Sequence, residues 1–557
     1  MMKSASQFPS MRLLVALCLL TAACGEQTGT VTTTSGGTVV FASPGEAEHL
    51  MPPVIQTIAA KQVADQVFAP LAESGATSGT LGDAGFIPRA AVRWTWSPDS
   101  GAIDFHMRPG ARFHDGHPVT AADAKFSYEL YADPTVASPH LSAFPAVDSL
   151  VVVDSMTLRV HFSDRTPERF FKFATNLMML PKHLLEGLPR DALAASAPAQ
   201  EPIGSGPYRV AKWERGASLE LVADTANVEG RPTLDRLVFR PVADANAAAR
   251  SVVAGEADFT ENLRPEGMAL VAPGGPARTV EYAAPMVGYL VFNTRAQANR
   301  QQPHPVLGDR SIRRALSQAI DRAVVVRNAL DSLAVLARGP LPRTSWAHDT
   351  SVAMLPFDVA AARSALEAAG WVLAPGDSVR ARQGTRLRLS LLVPSVSATR
   401  RQMATVVADQ LKTVGVELVV EVLDPSVLLP RLNAGKFDAF IHVWQSDASP
   451  STMVQAWGSS DLGRSQNYGW YANATVDSLL DQAITARSLA AARPAYSAAT
   501  NAILADAPAV FLWEPRSFAL AHSRIKFSTL RADAWWSGIR GWTIPAGERL
   551  PRDGAGR

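Results

Sequence analysis

Cysteine is nearly missing from this chain: of 557 residues only Cys18 and Cys24 carry a thiol. Everything after residue 24 therefore offers no disulfide, no thiolate nucleophile and no thiolate metal site. An excess of one charge is missing too. There are 53 basic and 51 acidic residues, and loss of the N-terminal Lys3 and Arg12 would leave the two signs equal. That balance excludes the basic footprint of a nucleic-acid binder and the polybasic patch of a membrane-surface protein. No apolar run approaches the roughly 18 residues of a membrane span. Common catalytic signatures are absent as well: there is no phosphate-cradling Gly-x-x-x-x-Gly-Lys-Ser/Thr, no His-Glu-x-x-His zinc helix, no Gly-x-Ser-x-Gly elbow and no acidic calcium loop. What is present is 47% hydrophobic against 19% charged residues, enough for several compact units and too apolar for general disorder.

The N-terminus has its own pattern. A basic flank at Arg12, a short apolar run from Leu13 to Leu20 and small residues after it predict a secretory signal over 1–23, with Met11 an alternative start to Met1. The run ends in Leu20-Thr-Ala-Ala-Cys24-Gly25, which resembles a bacterial lipoprotein box, with Thr21 at the position where the usual pattern has Leu. That resemblance implies a lipid on Cys24. The Gly/Thr/Ser-rich stretch that follows predicts a flexible tether over 24–36.

Strand-like and helix-like stretches then alternate, which predicts an α/β fold. Thr38 to Ala42, Leu150 to Val153, Leu158 to Phe162, Leu219 to Val222 and Leu237 to Arg240 have the branched or alternating character of strands. Helices are marked by their caps: Thr120 with Asp123 before Ala124–Tyr131, Asp309 before a face of Ile312, Leu316 and Ile320, and Asp358 before a helix that Gly370 stops. Arg401 to Val414, ended by Gly415, is predicted to lead into a strand from Val416 to Val422. Helices over Thr475–Arg487 and Arg493–Ala505 complete a helix-rich C-terminal third. Arg313 and Arg314 are expected on a solvated helix face, while Trp94 and Trp96, at period two, and Trp513, Trp535 and Trp536 are expected in packing.

One cluster invites a chemical reading. Phe113-His114-Asp115-Gly116-His117 could supply a metal or acid–base trio, and Asp-Gly is equally a turn signal. The turn is the expected role; no catalytic residue, cofactor or metal is expected.

Several ordered motifs carry a wider resemblance. They are Trp94-Thr-Trp-Ser97-Pro-Asp99; Arg108-Pro-Gly110-Ala-Arg-Phe113-His114-Asp115-Gly116-His-Pro118-Val-Thr120-Ala-Ala-Asp123; Ile203-Gly-Ser-Gly206-Pro207-Tyr208; Val253-Ala-Gly255-Glu-Ala-Asp258; Tyr289-Leu-Val-Phe-Asn293-Thr294; and Gly435-Lys-Phe437-Asp438. Over residues 37–530 the sequence resembles the family 5 extracellular solute-binding proteins of ABC transporters, which include peptide- and nickel-binding proteins. The resemblance implies a two-lobed periplasmic binding protein (type II, cluster C-like) with an extra domain in the first lobe. Residues 37–68, 202–284 and 511–550 would form the main domain of lobe I, 69–201 its additional domain, and 285–510 lobe II, with the hinge near 284 and 511.

The same resemblance points to Trp444-Gln445-Ser446-Asp447-Ala448-Ser449-Pro450. In peptide-binding relatives a Trp-x-x-Asp-x-x-Pro stretch sets its Asp against the ligand's ammonium, which places Asp447, Trp444, Gln445 and Ser446 in the site. Ser449 departs from the acid or amide often found before the Pro. Tyr289 and Asn293 either face the cleft or pack at the strand and hinge. The implied function is capture of a small solute, most simply a di- or oligopeptide, and its delivery to ABC permease subunits and their ATPases. The carrier would be monomeric, extracytoplasmic and membrane-bound only through its lipid, with no nucleic-acid partner. The alternatives are a non-peptide ligand (nickel chelate, haem or sugar) on the same fold, a surface sensor with no transporter, and a secreted hydrolase built around His114 and Asp115.

Overall fold

Six residues, Thr38–Ser43, are buried along their whole length, as a central strand covered on both faces must be. In the computed structural model, which describes residues 36–75, 79–163, 165–446, 448–461 and 466–554, this strand lies parallel to Arg236–Pro241 and to Phe259–Thr260. Successive side chains point to opposite faces. Val39 and Phe41 join a core with Trp535, Trp536 and Trp542, while Val40 and Ala42 join a second core with Val238, Ala248 and Leu520. Ser218–Ala223 and Tyr208–Glu214 extend the sheet to its edge. Asp258 fixes the C-terminal tail to this sheet: fully buried, it accepts from Val40 N at 2.8 Å, Arg524 Nε at 2.7 Å and Arg552 Nη2 at 2.7 Å.

The second lobe has a sheet of its own. Met286–Phe292 pairs antiparallel with Ala439–Gln445, and Arg388–Pro394 runs parallel to Glu417–Leu423. The helix joining the last two, Ala398–Lys412, starts on a Ser397 cap and ends before Gly415, whose φ of +82° suits a residue without Cβ. One long strand, Ala509–His522, belongs to both sheets. Its first half pairs with Met286–Phe292, and residues 516–522 pair with Ala277–Ala283. On one of its edges the partner changes between Pro515, opposite Ala334 of the short strand Ala334–Leu336, and Arg516, opposite Ala283. The chain crosses between the sheets a second time at Ala284 and Pro285, which join Ala277–Ala283 to Met286–Phe292.

A four-stranded antiparallel sheet (Ala91–Trp96, Ala102–Met107, Thr157–Phe162, Val147–Asp154) stands apart with its own core of Phe105, Phe170 and Phe173. Trp94 and Trp96 share one partner, their Nε1 atoms donating to Asp83 Oδ2 at 3.0 and 3.1 Å. Helix Ala121–Ala132 begins on the expected box, with Thr120 N donating to Asp123 Oδ2 at 2.9 Å.

Two expectations are corrected. Arg313 is not solvated: it is 5% exposed, and its guanidinium donates to the carbonyls of Leu307, Gly308, Asp506 and Ala507. Asp506 and Ala507 end the helix Leu489–Asp506, where the last carbonyls lack partners within the helix. That helix also starts earlier than expected, because Ser488 caps it and Pro494 is accommodated inside it. Among the described residues no helix is long and apolar enough to cross a membrane. The signal, Cys24 and most of the tether lie outside the described residues.

Candidate functional site

Gly204 and Gly206 begin the site, because only residues without a Cβ can sit where they do. A Cβ on Gly204 would come to 2.0 Å from the Val67 carbonyl oxygen, and one on Gly206 to 2.5 Å from that of Gln66. The loop therefore presses on the end of helix Ile58–Val67, with Gly206 N donating to Val67 O at 2.7 Å. His114 holds it from behind. Its Nδ1 accepts from Gly204 N at 3.2 Å and its Nε2 faces Gly206 O at 3.1 Å, an arrangement that suits a neutral ring. Burial pushes the His114 pKa below its ordinary value. The 113–117 segment is a turn, with Phe113 N donating to His117 O at 2.8 Å and Gly116 at a φ of +93°.

In front of this loop lies a cavity of about 570 Å³. Its first-lobe wall combines apolar groups (Phe68, Pro70, Phe171, Met178) with a charged band. Arg89 bridges Glu73 and Glu229 at 2.6 and 2.7 Å, and Arg540 reaches Glu229 at 2.8 Å. Burial opposes the charge on Arg89, but the two glutamates outweigh it and raise its pKa. The opposite side is formed by Pro285, Gln445, Ser446 and Ala448. The cavity is thus lined from both lobes.

The residues singled out in the sequence separate here. Gln445 and Ser446 line the cavity. Ser446 N donates to Pro285 O at 2.8 Å, which ties the strand end to the chain crossover. Asp447 lies outside the described residues, although its neighbours Ser446 and Ala448 are both in the wall. Trp444 is not among the lining residues; partly buried, it packs on the second lobe's core. Tyr289 is 3% exposed among His442, Trp457 and Phe511. Asn293 is fully buried and donates to the carbonyls of Gly435 and Phe437 at 3.1 and 2.8 Å. Of the two roles open to Tyr289 and Asn293, packing is the one the geometry displays.

A second junction between the lobes had no signal in the sequence. Glu168, 2% exposed and carried by the domain with the four-stranded sheet, accepts from Thr80 Oγ1 at 2.6 Å, from Ser451 Oγ at 2.8 Å and from Ser449 Oγ. Trp346 Nε1 donates to Thr80 Oγ1 at 3.1 Å, and Leu81 packs into the second lobe's core. Ser449 is thereby explained: an acid there would face Glu168 with a second negative charge. These residues come from four distant stretches of chain, so only the fold could bring them together.

Comparison with known proteins agrees with this architecture. Residues 85–464 match the family described as "Bacterial extracellular solute-binding proteins, family 5 Middle". The chain is 26% identical over 421 residues to the oligopeptide-binding protein AppA of Bacillus subtilis, covering 75% of this chain and 76% of that one. It is 30% identical over 420 residues to protein XP55 of Streptomyces lividans, covering 74% and 73%. Among solved structures, HbpA2 from Haemophilus parasuis superposes with a TM-score of 0.79 at 18% identity, over 91% of this chain and 99% of that one. The chain belongs to the family 5 bacterial extracellular solute-binding proteins.

Proposed function

We propose that the chain is the substrate-binding protein of an ABC importer and takes a di- or oligopeptide between its lobes. The observation that carries this reading is the cavity itself. At about 570 Å³ it falls in the usual ligand range of roughly 300–1,000 Å³, and it is walled by one lobe's loop and by the strand end that leads into Asp447. The name of the Bacillus relative supports a peptide as ligand. A carboxylate at 447 facing a peptide ammonium is a charge-assisted contact, and truncating one partner of such a buried pair costs about 2–5 kcal/mol.

Binding then works by population shift. The two crossovers, at 284–285 and 515–516, are the hinge. The closed form is favoured by contacts the ligand makes with both lobes at once. Main-chain hydrogen bonds to an extended peptide give affinity with little sequence preference. No bond is made or broken on this chain; ATP hydrolysis belongs to the transporter that receives the ligand. The carrier is monomeric and is held to the membrane by a lipid on Cys24. Calorimetry with a peptide library tests the reading: saturable binding that Asp447→Ala weakens at least about tenfold supports it, and an unchanged affinity in that variant removes Asp447 from the site. Cys24→Ser should release the protein from the membrane fraction, and retention there would contradict the anchor.

A further inference from the structure

Asp115, His117 and His183 bring a carboxylate oxygen and two imidazole nitrogens within 4.8 Å of one another. None of the three lines the interlobe cavity. His183 Nε2 lies 2.7 Å and His117 Nδ1 3.3 Å from the same atom, Asp115 Oδ2. The other carboxylate oxygen, Oδ1, accepts from His117 N at 3.1 Å, which leaves Oδ2 facing the two rings. The rings themselves stack, with centroids 3.9 Å apart and planes 24° from parallel.

We infer that these three residues form a binding site for a divalent transition metal of the zinc class. One dication placed among the three donors would take a lone pair from each. The donor set also selects the metal. Imidazole with carboxylate suits Zn²⁺, oxygen-only sets suit Mg²⁺ and Ca²⁺, and Cu(I) prefers sulfur. Zinc–ligand bonds of about 2.0–2.2 Å require the two stacked rings to turn about their side-chain bonds so that both nitrogens face one point, and the donor atoms are already within 4.8 Å of one another. The three side chains are 24%, 59% and 26% exposed, so a water can complete the fourth position.

The site is also held in place by its surroundings. The turn carrying Asp115 and His117 is closed by the Phe113–His117 backbone bond and by Arg112 Nη1 donating to Gly116 O at 2.8 Å. The short helix Lys182–Leu185 is fixed where Lys182 N donates to Asp123 Oδ1 at 3.1 Å. A bound metal would join these two segments. It would thereby stiffen the 113–117 turn, whose own His114 supports the Gly204–Gly206 wall.

The test uses the full-length chain, prepared without a polyhistidine tag and treated with chelator. Titration with ZnCl₂ by calorimetry, and with Co²⁺ by visible absorption, should each show one saturable equivalent. His117→Ala and His183→Ala should each weaken binding at least about tenfold. His117 is largely exposed, so His117→Ala decides the question even if His183→Ala does not fold. Absence of saturable binding, or equal Zn²⁺ affinity in His117→Ala and the unaltered chain, would overturn the inference.

Discussion

The two lobes meet at two kinds of junction, which differ in burial and in the strength of their polar contacts. At the crossovers, Glu281 is 40% exposed and pairs with Arg516 and, at 3.7 Å, with Arg343. These are solvent-screened contacts, worth about 0–1 kcal/mol each. At Glu168 the carboxylate is buried and hydrogen-bonded to hydroxyls from both lobes. Bonds of that kind to a charged group contribute about 1.5–3 kcal/mol. The covalent crossover keeps the lobes together and needs little further stabilisation. If the lobes close about the crossovers as proposed, the Glu168 junction is a contact of the closed form, and its strength bears on the open–closed balance.

The comparison can be broken at its strong end first. Glu168→Ala should cost about 1.5–3 kcal/mol of closed-state stability and enlarge the radius of gyration measured by small-angle scattering. An unchanged profile would mean that the junction does not hold the lobes. Asp447→Ala should weaken peptide binding by at least about 1.4 kcal/mol while leaving the ligand-free scattering profile unaltered. The two variants thus separate closure from ligand contact. Glu281→Gln should have the smallest effect, below about 1 kcal/mol in a denaturant titration. A larger loss would mean that the crossover carries more of the stability than its exposure allows.

A pH titration sharpens the comparison between the lobes themselves. His442, packed among Tyr289, Phe440 and Tyr468, is pushed down to about 4 by burial and by Arg400. An unfolded chain would take up that proton near pH 6.5. The folded state does not, so stability is present above pH 6.5 and is lost as pH falls from there towards 4. His442→Gln should flatten this slope in thermal melts followed by circular dichroism.

Much of the fold was legible because local signals agreed with the global structure. Asp309, Asp358 and the Thr120–Asp123 pair cap the helices they announce, and Gly370 and Gly415 end theirs at positive φ. The Asp-Gly turn at 115–116 is a turn. Contacts made by tertiary packing alone were not legible. Arg313 looks like a surface cation until the end of a helix nearly two hundred residues away supplies its carbonyls. Tyr289 lies on the strand Met286–Phe292 and Asn293 just beyond it, but the sequence does not tell that both side chains are buried in packing. His183 carried no signal at all, and only the fold places it beside Asp115.

Mass spectrometry of the small molecules released when freshly purified protein is denatured tests the central claim most directly. Peptides should appear in near-stoichiometric amount from the unaltered chain and fall sharply in Asp447→Ala. Equal recovery from both proteins, or no peptide from either, would contradict the account.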